Sequence, residues 1–210
     1  MRPATVQELV VIAAALMASS VRGAQVDPAA KGVIRIGPEV HITKGFEKEN
    51  FREPHIIALP TEPPSLVAVS FRWKAPPGPG LRSDCVIFVS PDSGLSWSLA
   101  PGGTLQEARI CVDPWLARDE DGAVFLSYLG SFEETDSDFR LGARIRRSVD
   151  GGMSWSEPIE LPLGDARGYD KPSITVDSSP DSPHRGNVYV HAAAGTRRPS
   201  GERIRWIAVS

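Results

Sequence analysis

One pattern, Ser-x-Asp-x-Gly-x-x-Trp, occurs twice in this chain, as SPDSGLSW at 90–97 and SVDGGMSW at 148–155. Ser148 follows Ser90 by 58 residues, and a second landmark keeps nearly the same step: Pro54, Pro114 and Pro172 are spaced by 60 and then 58. Each proline precedes a short apolar run, a turn rich in Pro, Asp or Gly, and a second apolar run. A fixed period near sixty is the mark of a propeller or another repeat array, whose units bury their apolar faces only against one another.

Within one unit the periodicity is that of strands. HIIAL, LVAVSF and CVIFVS are short runs of β-branched and apolar residues bounded by turn formers, and a fourth segment follows Trp97. The second unit repeats this with WLAR, AVFLSYL, ARIRRS and SEPIEL. Four strands in up-and-down order per unit make a propeller blade, and outside the N-terminal segment nothing has helical periodicity, so the chain reads as all-β. The repeated box falls where the third strand turns into the fourth. There an Asp carboxylate can accept backbone N–H groups, Gly supplies a left-handed position, and Trp buries a large ring. Asp92 and Asp150 therefore read as builders of turns rather than as paired catalytic acids, since each holds the same place in its own unit.

These residues (Ser90, Asp92, Gly94 and Trp97, then Ser148, Asp150, Gly152 and Trp155) resemble the Asp box, or bacterial-neuraminidase repeat, of sialidases and related secreted propellers. The resemblance runs from about residue 33 to the end, and implies a six-bladed sialidase-like β-propeller of which about two and a half blades are present. Blade one covers about 53–108, blade two about 113–165, and a third begins at 171–210, with Ser210 as the opening Ser of a further box. GPEVHITKGF reads as part of a closing strand at about 33–46. The expectation is an N-terminal fragment of a longer propeller, inactive and poorly stable alone; a complete chain that closes its ring by oligomerisation is the alternative.

Sialidases bind the sugar carboxylate with arginines, whose guanidinium suits a carboxylate in bidentate fashion. The resemblance places Arg52, in FREP, and Arg72, twenty residues on in VSFRW, as substrate-binding residues, with Glu53 standing where the family has Ile. It places the catalytic acid on Asp84, the one carboxylate of the loop that follows, although a solvated strand-flanking carboxylate is the plainer reading. The family's Tyr nucleophile and its Glu partner come from later blades. Two functions follow as expectations. One is an exported exo-α-sialidase-like glycoside hydrolase acting on sialoglycoconjugates; the other is a non-catalytic secreted Asp-box propeller that binds glycan or protein.

The remaining signals set boundaries. LVVIAAALMA at 9–18, after Arg2, is too short to span a bilayer and fits the apolar region of a signal peptide over residues 1–24, which implies secretion or periplasmic export. Val21 and Gly23 suit a cut before Ala24; Glu8 is atypical, and a buried helix is the other reading. The net charge of −3 without a basic run gives no reason to expect a nucleic-acid partner. Cys85 and Cys111, the two cysteines, could pair in an oxidising compartment or stay buried as thiols. His41, His55, His184 and His191 have no metal-ligand spacing, and EETDSD at 133–138 lacks the glycine of a calcium loop, so neither metal nor cofactor is expected. Trp73, Trp115 and Trp206, outside the boxes, serve either as core or as sugar-stacking rings.

Overall fold

Apolar runs that are buried on both faces, such as CVIFVS, need a neighbour on each side, and the fold supplies it by stacking sheet on sheet. The computed structural model describes residues 36–74, 82–105, 110–131, 141–162, 168–197 and 203–209, with side chains as far as residue 195. The chain divides into two compact units, Met1–Pro38 and Glu39–Ser210. The first lies almost wholly outside the described residues, and with it the signal peptide over 1–24. The second carries the strands. Among the described residues the fold is all-β, with antiparallel sheets and no helix.

The first sheet runs β1 (Asn50–Ala58), β2 (Leu66–Lys74), β3 (Arg82–Ser90) and β4 (Ser98–Leu105), each strand paired with the next. The second repeats the order with β5 (Cys111–Arg118), β6 (Val124–Ser131), β7 (Leu141–Ser148) and a two-residue β8 (Ile159–Glu160). The third has β9 (Gly168–Val176), β10 (Val188–Arg197) and β11 (Arg203–Val209) in the order β11-β10-β9. Alternation decides what lies between sheets. Val67, Val69 and Phe71 of β2 and Cys85 and Ile87 of β3 are buried in one cluster with Leu116, Val124, Leu126 and Tyr128 of the second sheet. The opposite face carries Ala68, Val86 and Phe88, which pack against Ile42, Phe46, Phe51 and Trp97.

Two boundaries differ from the sequence reading. The first strand of each unit starts before its proline rather than after it: β1, β5 and β9 each pass through Pro54, Pro114 and Pro172. Proline breaks a ladder because it lacks an N–H, but a bulge needs no bond there, and the register slips around these prolines in all three sheets. Second, residues 36–46, read as most of a closing strand, pair with no strand; turns in which Phe46 N–H reaches Thr43 O and Glu49 N–H reaches Phe46 O carry the segment instead. Its Ile42 and Phe46 side chains cover the first sheet's outer face.

Candidate functional site

The boxes form two nearly superposable hydrogen-bonded turns. Ser90 Oγ donates to Asp92 Oδ1 at 2.8 Å and accepts from Gly94 N–H at 2.9 Å; Ser148 does the same with Asp150 and Gly152 at 2.8 and 2.8 Å. The indole N–H of Trp97 reaches Gly94 O at 3.1 Å, and that of Trp155 reaches Gly152 O at 3.1 Å. A fifth member was present in the sequence and unused: Ser96 and Ser154, each just before the Trp, donate both N–H and hydroxyl to the Asp. The Ser154 hydroxyl, followed by its N–H, holds the Asp150 carboxyl down at about 2. Both oxygens of each Asp accept from the turn's own serines, so these carboxylates are engaged in building the turn.

Arg52, Arg72 and Asp84 are not brought to one place. Phe51 pairs with Arg72, and Arg52 pairs with Phe71, so the two arginines leave opposite faces of the first sheet. Arg72 lies on the outer face, where it bonds Glu49 at 2.5 Å and its cross-strand neighbour Asp84 at 3.4 Å, with its guanidinium 6.0 Å from the Phe46 ring centroid. Both side chains are nearly buried, at 14% and 8% exposure, so this pair clamps residues 46–49 onto the sheet. Arg52 is exposed and reaches Asn50 Oδ1 at 3.4 Å. The two arginines keep their spacing of twenty residues but leave different faces, because the bulge at Glu53 resets the alternation.

That bulge builds the site that sequence reading passed over. Glu53, Asp113 and Lys171 have φ of 50°, 51° and 50°, a left-handed backbone that costs a non-glycine residue about 1–2 kcal/mol, and each precedes the repeated proline. The strained turn aims all three side chains at one point. Lys171 Nζ bonds Glu53 Oε1 at 2.5 Å and Asp113 Oδ1 at 3.2 Å, and the Lys171 N–H reaches Asp113 Oδ2 at 3.3 Å. The three residues come from three sheets, 118 positions apart at the extremes. Around them lies a cavity of about 270 Å³ whose walls are three consecutive residues from each first strand: Glu53-Pro54-His55, Asp113-Pro114-Trp115 and Lys171-Pro172-Ser173.

The charges in this cavity are uneven. Burial, then the bond shared with Glu53, raises the Asp113 carboxyl above its ordinary value, whereas that bond and Lys171 lower Glu53. Asp113 is thus the harder of the two to ionise and Glu53 the easier. The Lys171 ammonium is held charged by the two carboxylates against the opposing effect of burial. His55 accepts the Leu116 N–H at Nδ1, 3.3 Å away, which leaves its proton on Nε2, and burial keeps the ring neutral. Its ring lies 4.3 Å from that of Trp115, which is 43% exposed. The sequence signal for all of this was a charged residue before a proline at each repeat; read as a local motif, it hid a meeting point.

The other expectations have plainer places. Cys85 and Cys111 form a buried disulfide, Cα–Cα 5.3 Å, which ties β3 of the first sheet to β5 of the second. His41 bonds Thr43, and His184 and His191 are exposed. Trp73 stands edge-on to Phe71 at 5.5 Å, against the core. Among the described residues no three His, Cys, Asp or Glu side chains group as a metal site, and no helix is long and apolar enough to cross a membrane. The acidic run 133–138, the side chain of Trp206, and Ser210 lie outside the described residues.

No family model matches the chain, and no curated protein matches it. Among solved structures it is similar to a protein of unknown function from Dyadobacter fermentans, with 18% identity and a TM-score of 0.53. The match covers 78% of this chain and 52% of that one, so the chain spans about half the length of the neighbour. At this identity the likeness concerns the fold alone.

Proposed function

We propose that the chain is an exported, sialidase-like Asp-box propeller whose role is to bind glycan at the cavity where β1, β5 and β9 converge. The observation that carries this reading is that cavity: an exposed Trp115 ring beside a group of hydrogen-bonding side chains, set by strained backbone at three equivalent points. Strain held at equivalent positions of three sheets supports a functional reading, because strained backbone gathers at binding and catalytic sites. A sugar ring has an apolar face that suits an indole and hydroxyls that suit Glu53, Asp113, Ser173 and the His55 Nε2–H. The propeller reading is supported by three successive sheets whose first strands meet, and by the two box turns at the same place in their units.

Binding is favoured over hydrolysis by the arginines. Arg52 and Arg72 stand on opposite faces and Arg72 is committed to Glu49 and Asp84, so these two arginines form no joint site for a carboxylate. Glu53 and Asp113 are both bonded to the Lys171 ammonium, which occupies the position between them. A sialoside's carboxylate would also meet Glu53 and Asp113, a like-charge encounter. Sialosides are therefore disfavoured, and uncharged glycans fit better.

Calorimetric titration with neutral oligosaccharides tests the reading. Binding is expected, and Trp115→Ala is expected to weaken it at least about tenfold, or ~1.4 kcal/mol. Cleavage of a fluorogenic sialoside by the same preparation would return the hydrolase reading to first place.

A further inference from the structure

Resting on the saccharide reading above, we infer that the cavity prefers amino sugars carrying a free, protonated amine, and that the Lys171 ammonium occupies the seat such an amine would take. Two carboxylates from different sheets meet in one cavity and share a single cation between them, with Nζ 2.5 Å from Glu53 and 3.2 Å from Asp113. Two carboxyl groups this close favour a cation beside them, since they cannot both ionise without one.

The two sides of this contact are not equally fixed. Asp113 is firmly placed, with 12% of its side chain exposed and both oxygens engaged. Lys171 is loosely placed: its side chain is 60% exposed, and the described structure gives its ammonium only these two partners. Holding the exposed end of a four-carbon stem in one place costs Lys171 its freedom, so a ligand ammonium can take over its contacts. The displaced Lys171 then swings into solvent.

The surroundings point to a sugar amine rather than a bare cation. Trp115 beside the carboxylates offers a flat apolar face about the width of a pyranose ring, and the ring it stacks on, His55, is neutral and adds no repulsion to an incoming ammonium. A 2-amino-2-deoxyhexose places its ammonium at the edge of such a ring. Its N-acetylated counterpart presents a bulkier, uncharged amide to the same two carboxylates.

The test is a calorimetric comparison of a β-1,4-linked glucosamine tetrasaccharide with its fully N-acetylated counterpart, using the whole chain. The amine form is expected to bind at least about tenfold more tightly. That preference should shrink toward unity in Glu53→Gln, and in wild type at a pH that deprotonates the sugar amine. Lys171→Met, which removes the competing ammonium from an exposed position, should tighten the amine form several-fold relative to the acetylated form. Equal affinity for the two sugars, or Lys171→Met weakening the amine form, overturns the inference while leaving the saccharide reading intact. Failure of both sugars to bind overturns both. Circular dichroism of each variant confirms that the comparison is made between folded proteins.

Discussion

Asp150 shows how much a single exposed carboxylate can organise when the backbone around it is short and every donor points inward. Its folded pKa, about 2, lies below the ordinary 3.8, so its contribution to stability is complete above about pH 4 and is lost as the pH falls toward 2. Asp92 is lowered by the same partners, Ser96 first, and acts in the same direction. Asp150→Asn is expected to destabilise by about 1 kcal/mol at neutral pH and to flatten the acid limb of the stability curve, as read by urea unfolding between pH 2 and 5. An unchanged acid limb would mean that other carboxylates govern it. Gly152 tests the turn from the backbone side. Its φ is +89°, and an added Cβ would stand 3.1 Å from Val67 Cγ1 of the first sheet. Gly152→Ala is expected to cost about 1–3 kcal/mol, seen as a lowered Tm. At this scale the sequence was legible because the box is local: donors and acceptors lie within four residues of each other, and only Ser96 and Ser154 went unread.

Strands place these residues, and the first strand of each sheet was the least legible. The apolar runs of β2, β3 and β6 announce themselves because both faces are buried. β1, β5 and β9 are interrupted by proline, which argues against a strand unless a bulge absorbs it. The bulge also explains why two arginines twenty residues apart end on opposite faces, and why the charged residue before each proline points to the shared cavity. No local rule reveals that meeting, since it depends on how three sheets stack. The disulfide is the covalent counterpart of that stacking: it closes a separation of 26 residues and joins β3 to β5 through the core. The Cys85→Ala/Cys111→Ala double variant is expected to lose about 3–4 kcal/mol in urea unfolding, with Trp115 and its cavity retained. A loss below about 1 kcal/mol would show that the inter-sheet core already fixes the two elements.

For the whole molecule, repetition is the source of both stability and site. The first two units share one four-part plan, a bulged first strand, two apolar strands, a box and a closing segment, and the third sheet repeats the bulged first strand and the two that follow it. The plan was visible in the sequence as a period near sixty. What the period could not give is the chemistry where the first strands meet, because equivalent positions carry different residues there. Two carboxylates and a lysine ammonium of opposite charge hold one backbone conformation and meet at one point. The most direct measurement of the account is a crystal structure of the chain soaked with a glucosamine oligosaccharide. The account predicts a sugar ring stacked on Trp115, its amine on Glu53 and Asp113, and the Lys171 side chain turned away. Sugar density elsewhere on the surface, with the Glu53–Lys171–Asp113 contact intact, would contradict it.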